Sequence, residues 1–357
     1  MIVVAMSGGV DSSVAAGLLS REGHEVVGIH LRLADAPDRP EDAAPRACCA
    51  PQDAHDVRKV AARLGLDHYV LDYRERFEAE VIEPFVEAYA AGHTPNPCLQ
   101  CNSEIKFGPL LEQARRLGAE ELATGHYARI RRDAQGRLHL HRGRDPGKDQ
   151  SYFLYRLDQP TLARLRFPLG ELRKEEVREL ARGWGLNTAE KLDSQEICFV
   201  GREGYARLVE ARLGPQASGT LVDEAGRVLG EHEGLHRFTI GQRKGLGLGG
   251  GDRRYVTRIE PASGRVVVGP RSALARRKLR LGELSWIAGE PPALETPLEV
   301  HVRYRDRGRP GVLEGVEGDE AVARLEEAVE GAAPGQAVVF YDGDELLGGG
   351  TLLEAKE

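Results

Sequence analysis

Residues 2–5 (I-V-V-A) form a short apolar run that stops at Ser7-Gly8-Gly9. An amphipathic pattern carried by Val14, Ala15, Leu18 and Leu19 begins just beyond Asp11-Ser12-Ser13. This reads as a strand, a glycine turn and a helix N-terminus in close succession. The same alternation continues. Residues 25–31 (E-V-V-G-I-H-L) read as a buried strand, residues 53–64 carry helical spacing through Val57, Val60, Ala61 and Leu64, and residues 68–71 form a short strand. Residues 77–91 and 105–117 are helical in pattern, and residues 121–123 close the set as a strand leading into Thr124-Gly125. Strands and helices alternating at this spacing predict an α/β fold with a doubly wound parallel sheet, whose ligands gather at the carboxyl ends of the strands. The Ser7–Ser13 turn follows one such end and Thr124-Gly125-His126 another, so both should face one crevice.

After about residue 200 the pattern changes. Short β-like runs at residues 220–222, 255–259 and 265–268 are separated by Gly, Pro and Asp, and from residue 298 alternating runs (L-E-V-H-V-R-Y, later A-V-V-F-Y) keep the β character. We read a catalytic domain over 1–200, a small mixed, β-rich domain over 201–275 and a C-terminal β-barrel over 276–357. The glycine clusters at residues 245–251 and 348–350 read as turns.

Composition sharpens this. The chain of 357 residues is long enough for several cores. No run approaches the ~18 apolar residues of a membrane span and the first residues lack a signal-peptide pattern, so no membrane partner and a cytoplasmic location are expected. Five cysteines do not read as a disulfide framework. The net charge of −7 alone argues against nucleic acid, but it is unevenly spread. Residues 126–280 carry 31 basic and 19 acidic side chains, against 12 and 20 before them and 6 and 17 after. A basic middle of this kind reads either as a polyanion surface or as an arginine-rich solvated face.

The turn V-A-M-S-G-G-V-D-S-S carries the chemistry. Gly8 and Gly9 allow close approach to a ligand, and Ser7, Ser12 and Ser13 add hydroxyls. The free N–H groups of the first helical turn point at the same spot, which makes a phosphate cradle. A kinase-type P-loop would need a lysine here, and none is present. The form S-G-G-x-D-S-S instead resembles the pyrophosphate loop of N-type ATP pyrophosphatases, which cleave ATP between the α- and β-phosphates and adenylate a substrate oxygen.

Two cysteines stand in T-P-N-P-C-L-Q-C-N (residues 94–102), where two prolines predict an exposed, ordered loop that is not helical. A zinc knuckle would use such a C-x-x-C, but no second pair is present to complete four ligands. Cys198, in D-S-Q-E-I-C-F, read alone is a small buried hydrophobe.

Taken together, several motifs resemble the bacterial tRNA-specific 2-thiouridylases. They are the pyrophosphate loop, T-P-N-P-x-x-x-C-N with E-I-K-F after it, A-T-G-H-Y-A (123–128), K-D-Q-S-Y-F-L (148–154), D-S-x-x-I-C-F, G-Q-R-K-G-L-G (241–247) and R-Y-R (303–305). They run in that family's order along essentially the whole chain.

The resemblance implies that ATP, with Mg, adenylates the C2 oxygen of the wobble uridine of a tRNA, and that a persulfide sulfur then displaces AMP. Cys198 would carry the persulfide, received from a cysteine desulfurase or a relay protein, and Cys101 would be its nucleophilic partner. Ala5, Met6, Ser7, Gly8, Gly9, Val10, Asp11, Ser12, Leu31 and Gly125 align with ATP-binding positions, Leu31 through its backbone and Asp11 close to the magnesium. Asn96, Pro97 and Cys98 would meet the target base, and Lys148, Asp149, Gln150, Arg303 and Tyr304 would contact the tRNA.

One position departs from the pattern. Several relatives hold an aspartate where this chain has Cys98, and a thiol, with an ordinary pKa of about 8.5, can also shuttle a proton. A rival mechanism has Cys98, Cys101 and Cys198 ligate an iron–sulfur cluster. Two other classes stay open on residues alone. A small-molecule ATP pyrophosphatase would leave the cysteines unexplained, and a non-catalytic RNA- or metal-binding protein would leave Ser7–Ser13 without a role. Cys48 and Cys49 carry no assignment.

Overall fold

The computed structural model describes residues 1–34, 51–193, 197–201, 203–249 and 253–357. Cys48, Cys49 and the polar residues 194–196 before Cys198 lie outside that set.

The apolar run at the start is strand β1 (Ile2–Ala5), central in a five-stranded sheet with β2 (Val26–Arg32), β3 (Asp67–Asp72), β4 (Glu121–Ala123) and β7 (Leu165–Arg166). The order is β3-β2-β1-β4-β7 and all pairings are parallel, as the βα alternation predicts. Val3, Val4, Ile29, Leu122 and Ala123 are fully buried because helices cover both faces. One face packs on α1 (Val10–Arg21), α2 (Pro51–Leu64) and the helix at Lys174–Gly183, around Val14, Val57, Val60 and Val177. The other packs on helical residues 74–90 and 97–116, around Phe85, Ile105 and Leu110.

The second sheet is small and four-stranded: β10 (Tyr255–Glu260), β11 (Arg265–Gly269), β8 (Gly219–Asp223) and β9 (Val228–His232), over Leu221, Val256, Val266 and Val268. The third contains the barrel. Antiparallel strands β12 (Ala275–Trp286), β15 (Glu320–Glu330), β14 (Arg309–Glu317), β13 (Leu298–His301), β16 (Ala337–Asp342) and β17 (Glu345–Lys356) follow in that order, and β12 closes on β17. The hairpin β5 (Ala128–Arg132) and β6 (Leu138–Arg142) continues this sheet, with β6 on β17 at Leu140–Leu346. A ribbon from the first half of the chain is thereby sewn to the barrel. Among the described residues no helix is long and apolar enough to cross a membrane.

One expectation is corrected. Pro97–Cys101 is helical, not the non-helical loop its prolines predict. Asn96 caps it, its Oδ1 accepting the Cys98 N–H at 3.2 Å, and Pro97 falls at the first helical position. There its missing N–H is one of the helix's orphans in any case and its fixed φ suits the helix. The helix runs on as wider π-type turns over Asn102–Leu110 that accommodate Pro109.

Candidate active site

Beyond β1 the chain turns at Gly8, whose φ of +78° favours glycine. A Cβ there would also lie 2.7 Å from the Cβ of Asp53. The Ser7 N–H donates to Ser12 Oγ at 3.1 Å and Ser13 Oγ donates to the Gly9 carbonyl at 2.7 Å, so the serines brace the loop internally. The N–H groups of Gly8, Gly9, Val10, Asp11 and Ser12 take no protein acceptor among the described residues. These consecutive donors at the start of α1 are what an anionic ligand needs. Gly125, after β4, sits directly on this loop: a Cβ on it would be 2.8 Å from the Ser12 nitrogen. Met6 and Leu31 are buried beneath, and Ala5 is partly so. The predicted ATP positions therefore converge at the carboxyl ends of β1, β2 and β4.

Asp11 is the acidic group of the cradle. Tyr127 donates its hydroxyl to Oδ1 at 2.7 Å, and Lys174 Nζ lies 2.7 and 2.8 Å from the two oxygens. Burial, then the Asp11 charge, push the Tyr127 hydroxyl far above its ordinary value, so it stays a donor. Lys174 also pairs with Asp193 at 2.8 Å, and Asp193 holds Lys148 at 2.5 Å and Arg178 at 3.1 Å. Burial alone would raise the Asp193 carboxyl, but hydrogen bonds from Lys148 and Lys174 bring it below its ordinary value.

Lys148 thus lies in the charge network beside the cradle. Asp149 accepts from Gly143 N at 2.9 Å and from Ser151, while Gln150 accepts the Tyr127 N–H at 3.1 Å. Tyr304 donates to the Asp149 carbonyl at 3.2 Å and its ring stands 4.3 Å from that of Phe153. Asp149 and Tyr304 therefore join the first half of the chain to the barrel, while Lys148 and Gln150 are held by Asp193 and Tyr127. Arg303, beside Asp306 at 3.9 Å, remains partly exposed.

His126 links cradle and cysteines. Its Nδ1 is hydrogen-bonded to Thr124 Oγ1 at 2.7 Å, and Phe107 and Phe167 flank the ring at 5.8 and 5.9 Å. Burial drops its pKa well below the usual value, so the imidazole is neutral at physiological pH. Phe107 belongs to the helical stretch that starts with Cys98 and Cys101. Cys98 is exposed, and Cys101 and Cys198 are partly buried against the same apolar cluster. Next to Cys198, Phe199 packs edge-on to Phe77 and Phe85 at 5.7 and 5.1 Å. The barrel pins this region too: Thr94 N donates to the Pro334 carbonyl at 2.9 Å and Arg156 joins Gln100 to Glu283.

Both carboxylate oxygens of Asp11 are engaged by protein donors, yet the cradle suits a magnesium that arrives mainly on a nucleotide's own phosphates, with Asp11 as the adjacent carboxylate. An iron–sulfur cluster fits less well. Among the described residues no group of three or more His, Cys, Asp or Glu is arranged to hold a metal, so Cys98, Cys101 and Cys198 do not converge as ligands.

Sequence reasoning missed Lys174, Tyr127, Asp193, Lys191 and Asp53 as parts of the site. Tyr127 and Asp193 stand in quoted motifs, but the pairing of the lysines crosses more than a hundred residues and leaves no local signal.

Comparison with known proteins agrees with the geometry. The family described as "tRNA methyl transferase HUP domain" matches residues 1–202, "tRNA methyl transferase PRC-barrel domain" residues 207–270, and "Aminomethyltransferase beta-barrel domain" residues 276–352. The chain is 51% identical to the tRNA-specific 2-thiouridylase MnmA of Methylorubrum extorquens, over 98% of this chain and 93% of that protein. It is 49% identical to the protein of the same name from Geobacter metallireducens, over 98% and 95%. With a row of backbone donors at the start of α1, cysteine-bearing segments packed on one apolar cluster and similarity along the full length, the chain belongs to the tRNA-specific 2-thiouridylase family.

Proposed function

We propose that the chain is a tRNA-uridine 2-sulfurtransferase that binds ATP on the Ser7–Ser13 loop and replaces the C2 oxygen of the wobble uridine by sulfur. The observation that carries this is the row of N–H groups from Gly8 to Ser12 that take no acceptor among the described residues, with His126, next to Gly125, packed on Phe107 of the helical stretch that continues from Cys98 and Cys101.

The C2 oxygen attacks the α-phosphorus and pyrophosphate leaves. C2 now bears AMP, a far better leaving group than oxide. The cradle N–H groups and Lys174 meet the negative charge that develops on the departing phosphates. Magnesium, when bound, supplies further screening of those phosphates. The terminal sulfur of a persulfide on Cys198 then attacks C2 and expels AMP with the original oxygen. The Cys101 thiolate attacks the Cys198 sulfur, the S–S bond breaks, and 2-thiouridine is released. Cys101 and Cys198 are left as a disulfide, which an external thiol reduces before a persulfide donor reloads Cys198.

Asn96 and Pro97 meet the base beside Cys98, whose exposed thiol moves a proton during the exchange. Arg303 and Tyr304, with Lys148, Asp149 and Gln150, line the tRNA side of the crevice. Residues 1–200 carry the chemistry, and 201–275 and 276–357 hold the tRNA. ATP, tRNA and a persulfide donor place the reaction in the cytoplasm.

The test is mass spectrometry of tRNA nucleosides from a strain lacking the protein. Loss of 2-thiouridine, restored by the wild-type gene and not by Cys101→Ser or Cys198→Ser, supports the reading. Unchanged 2-thiouridine overturns it.

A further inference from the structure

Lys191 has no place in the chemistry above, yet it touches the nucleotide loop. Its ammonium has three N–H donors. They reach the Gly8 carbonyl at 3.0 Å, Asp53 Oδ1 at 2.6 Å and Asp56 Oδ2 at 2.6 Å. Asp56 Oδ1 is met in turn by Asn187 at 2.9 Å and Gln52 at 3.4 Å. Asp53 and Asp56 keep only 5% and 12% of their side-chain surface exposed, and Lys191 31%. All three donors of Lys191 are thus taken up by protein oxygens, one of them the Gly8 carbonyl of the nucleotide loop.

Its contact to the backbone matters because of what stands there. Gly8 and Gly9 are consecutive, and a peptide between two glycines rotates at little steric cost. A trans peptide is planar with its C=O and N–H on opposite edges, so fixing the Gly8 carbonyl fixes the direction of the Gly9 N–H. That N–H is one of the cradle donors that take no acceptor among the described residues. Asp53 closes the other side of Gly8, its Cβ and backbone filling the space a Gly8 side chain would need at 2.7–2.8 Å.

We infer that Lys191 is a positioning residue for the phosphate cradle. It latches the Gly8–Gly9 peptide so that the Gly9 N–H faces the ligand, and Asp53 and Asp56 hold the ammonium in place. This rests on the ATP-binding reading above. The competing role is neutralisation of two buried carboxylates, which concerns folding alone.

The full-length chain separates the two. Lys191→Met should raise KM for ATP at least about tenfold, the loss of one aligned charge-assisted contact, with the Kd for tRNA unchanged. Lys191→Met combined with Asp53→Asn and Asp56→Asn removes the charge imbalance, so its Tm should return towards wild type while KM for ATP stays raised. A wild-type KM in Lys191→Met overturns the inference, and so does a triple variant whose KM recovers with its Tm. If Lys191→Met alone does not fold, the triple variant decides by the same KM criterion. Wild-type protein that releases no AMP and pyrophosphate would instead refute the underlying reading of function.

Discussion

Lys174 Nζ sits 2.7 and 2.8 Å from the two oxygens of Asp11, which stands 163 residues earlier in the chain. The same ammonium is 2.8 Å from Asp193, five residues before Cys198. With 6% of its surface exposed, it is a buried cation held between the Ser7–Ser13 loop and Asp193.

Lys174→Met should therefore cost ATP turnover by about a hundredfold or more, comparable to removing a preorganised donor from a developing charge. Asp11 and Asp193 keep 32% and 20% of their side-chain surface exposed, so water softens the loss of their partner and destabilisation should be about 1–3 kcal/mol. Steady-state AMP release and thermal melting measure the two effects. A melt lowered without loss of turnover would make Lys174 a structural residue only.

What was legible in the sequence was local. The β1–loop–α1 unit announces itself because an apolar run, two glycines, three hydroxyls and an amphipathic pattern lie side by side, and the parallel sheet follows from the repeats of that unit. The Cys98 helix is not legible because proline, a breaker inside a helix, stands here at the position where it starts one. The charge network was invisible for a different reason. Lys174–Asp11, Lys191–Asp53 and Arg129–Asp344 join residues 163, 138 and 215 positions apart, and only the closed fold brings them together. Part of the basic middle is explained in the same way. Arg129, Arg137, Arg142 and Arg156 pair with Asp344, Glu290, Glu299 and Glu283 of the acidic C-terminal part.

That pairing narrows which basic side chains are available to a tRNA backbone. Lys278 is tied to Glu314 and Arg280 to Glu320, while Arg276 and Arg277 bond backbone carbonyls. Arg243 and Lys244 are exposed and make no ion pair among the described residues, and their loop meets the barrel where Gly241 approaches Gly331, itself close to Arg303. Charge reversal at Arg243 or Lys244 should weaken binding to all tRNA sequences and lower the salt slope by about 0.7–0.9 per lost phosphate contact. Reversals at residues 276–278 should lower the Tm more than the slope. Filter binding across a salt series reads both, and an unchanged slope at Arg243 and Lys244 would count against this docking face.

The hairpin–barrel seam should be pH-sensitive. His139 stands between Glu345 at 2.6 Å and Asp133 at 3.2 Å, and hydrogen bonds, first to Glu345 and then to Asp133, raise its pKa above the ordinary 6.5. A raised folded value means the contribution is full below the ordinary histidine pKa and is lost as pH rises through the folded one. The hydrogen bond from His139 in turn lowers Asp133, so that carboxylate's contribution is present above its ordinary value and fades on acidification. His141 beside Asp344 at 3.2 Å adds a second contact on the same strand. The seam should hold best in mildly acidic solution and weaken slightly by mildly alkaline pH, a small effect because the groups are largely solvated. His139→Gln should flatten the pH dependence of Tm; a variant with the wild-type profile would contradict this.

Where ATP is cleaved and where the sulfur then goes define the reaction. A single-turnover reaction of the wild type, persulfide-loaded, with labelled ATP and unmodified tRNA tests both. It should give AMP, pyrophosphate and 2-thiouridine in equal amounts. Cys198→Ser should still release pyrophosphate, accumulate adenylated tRNA and make no thiolated product. ADP and phosphate as products, or thiolation by Cys198→Ser, would contradict the account.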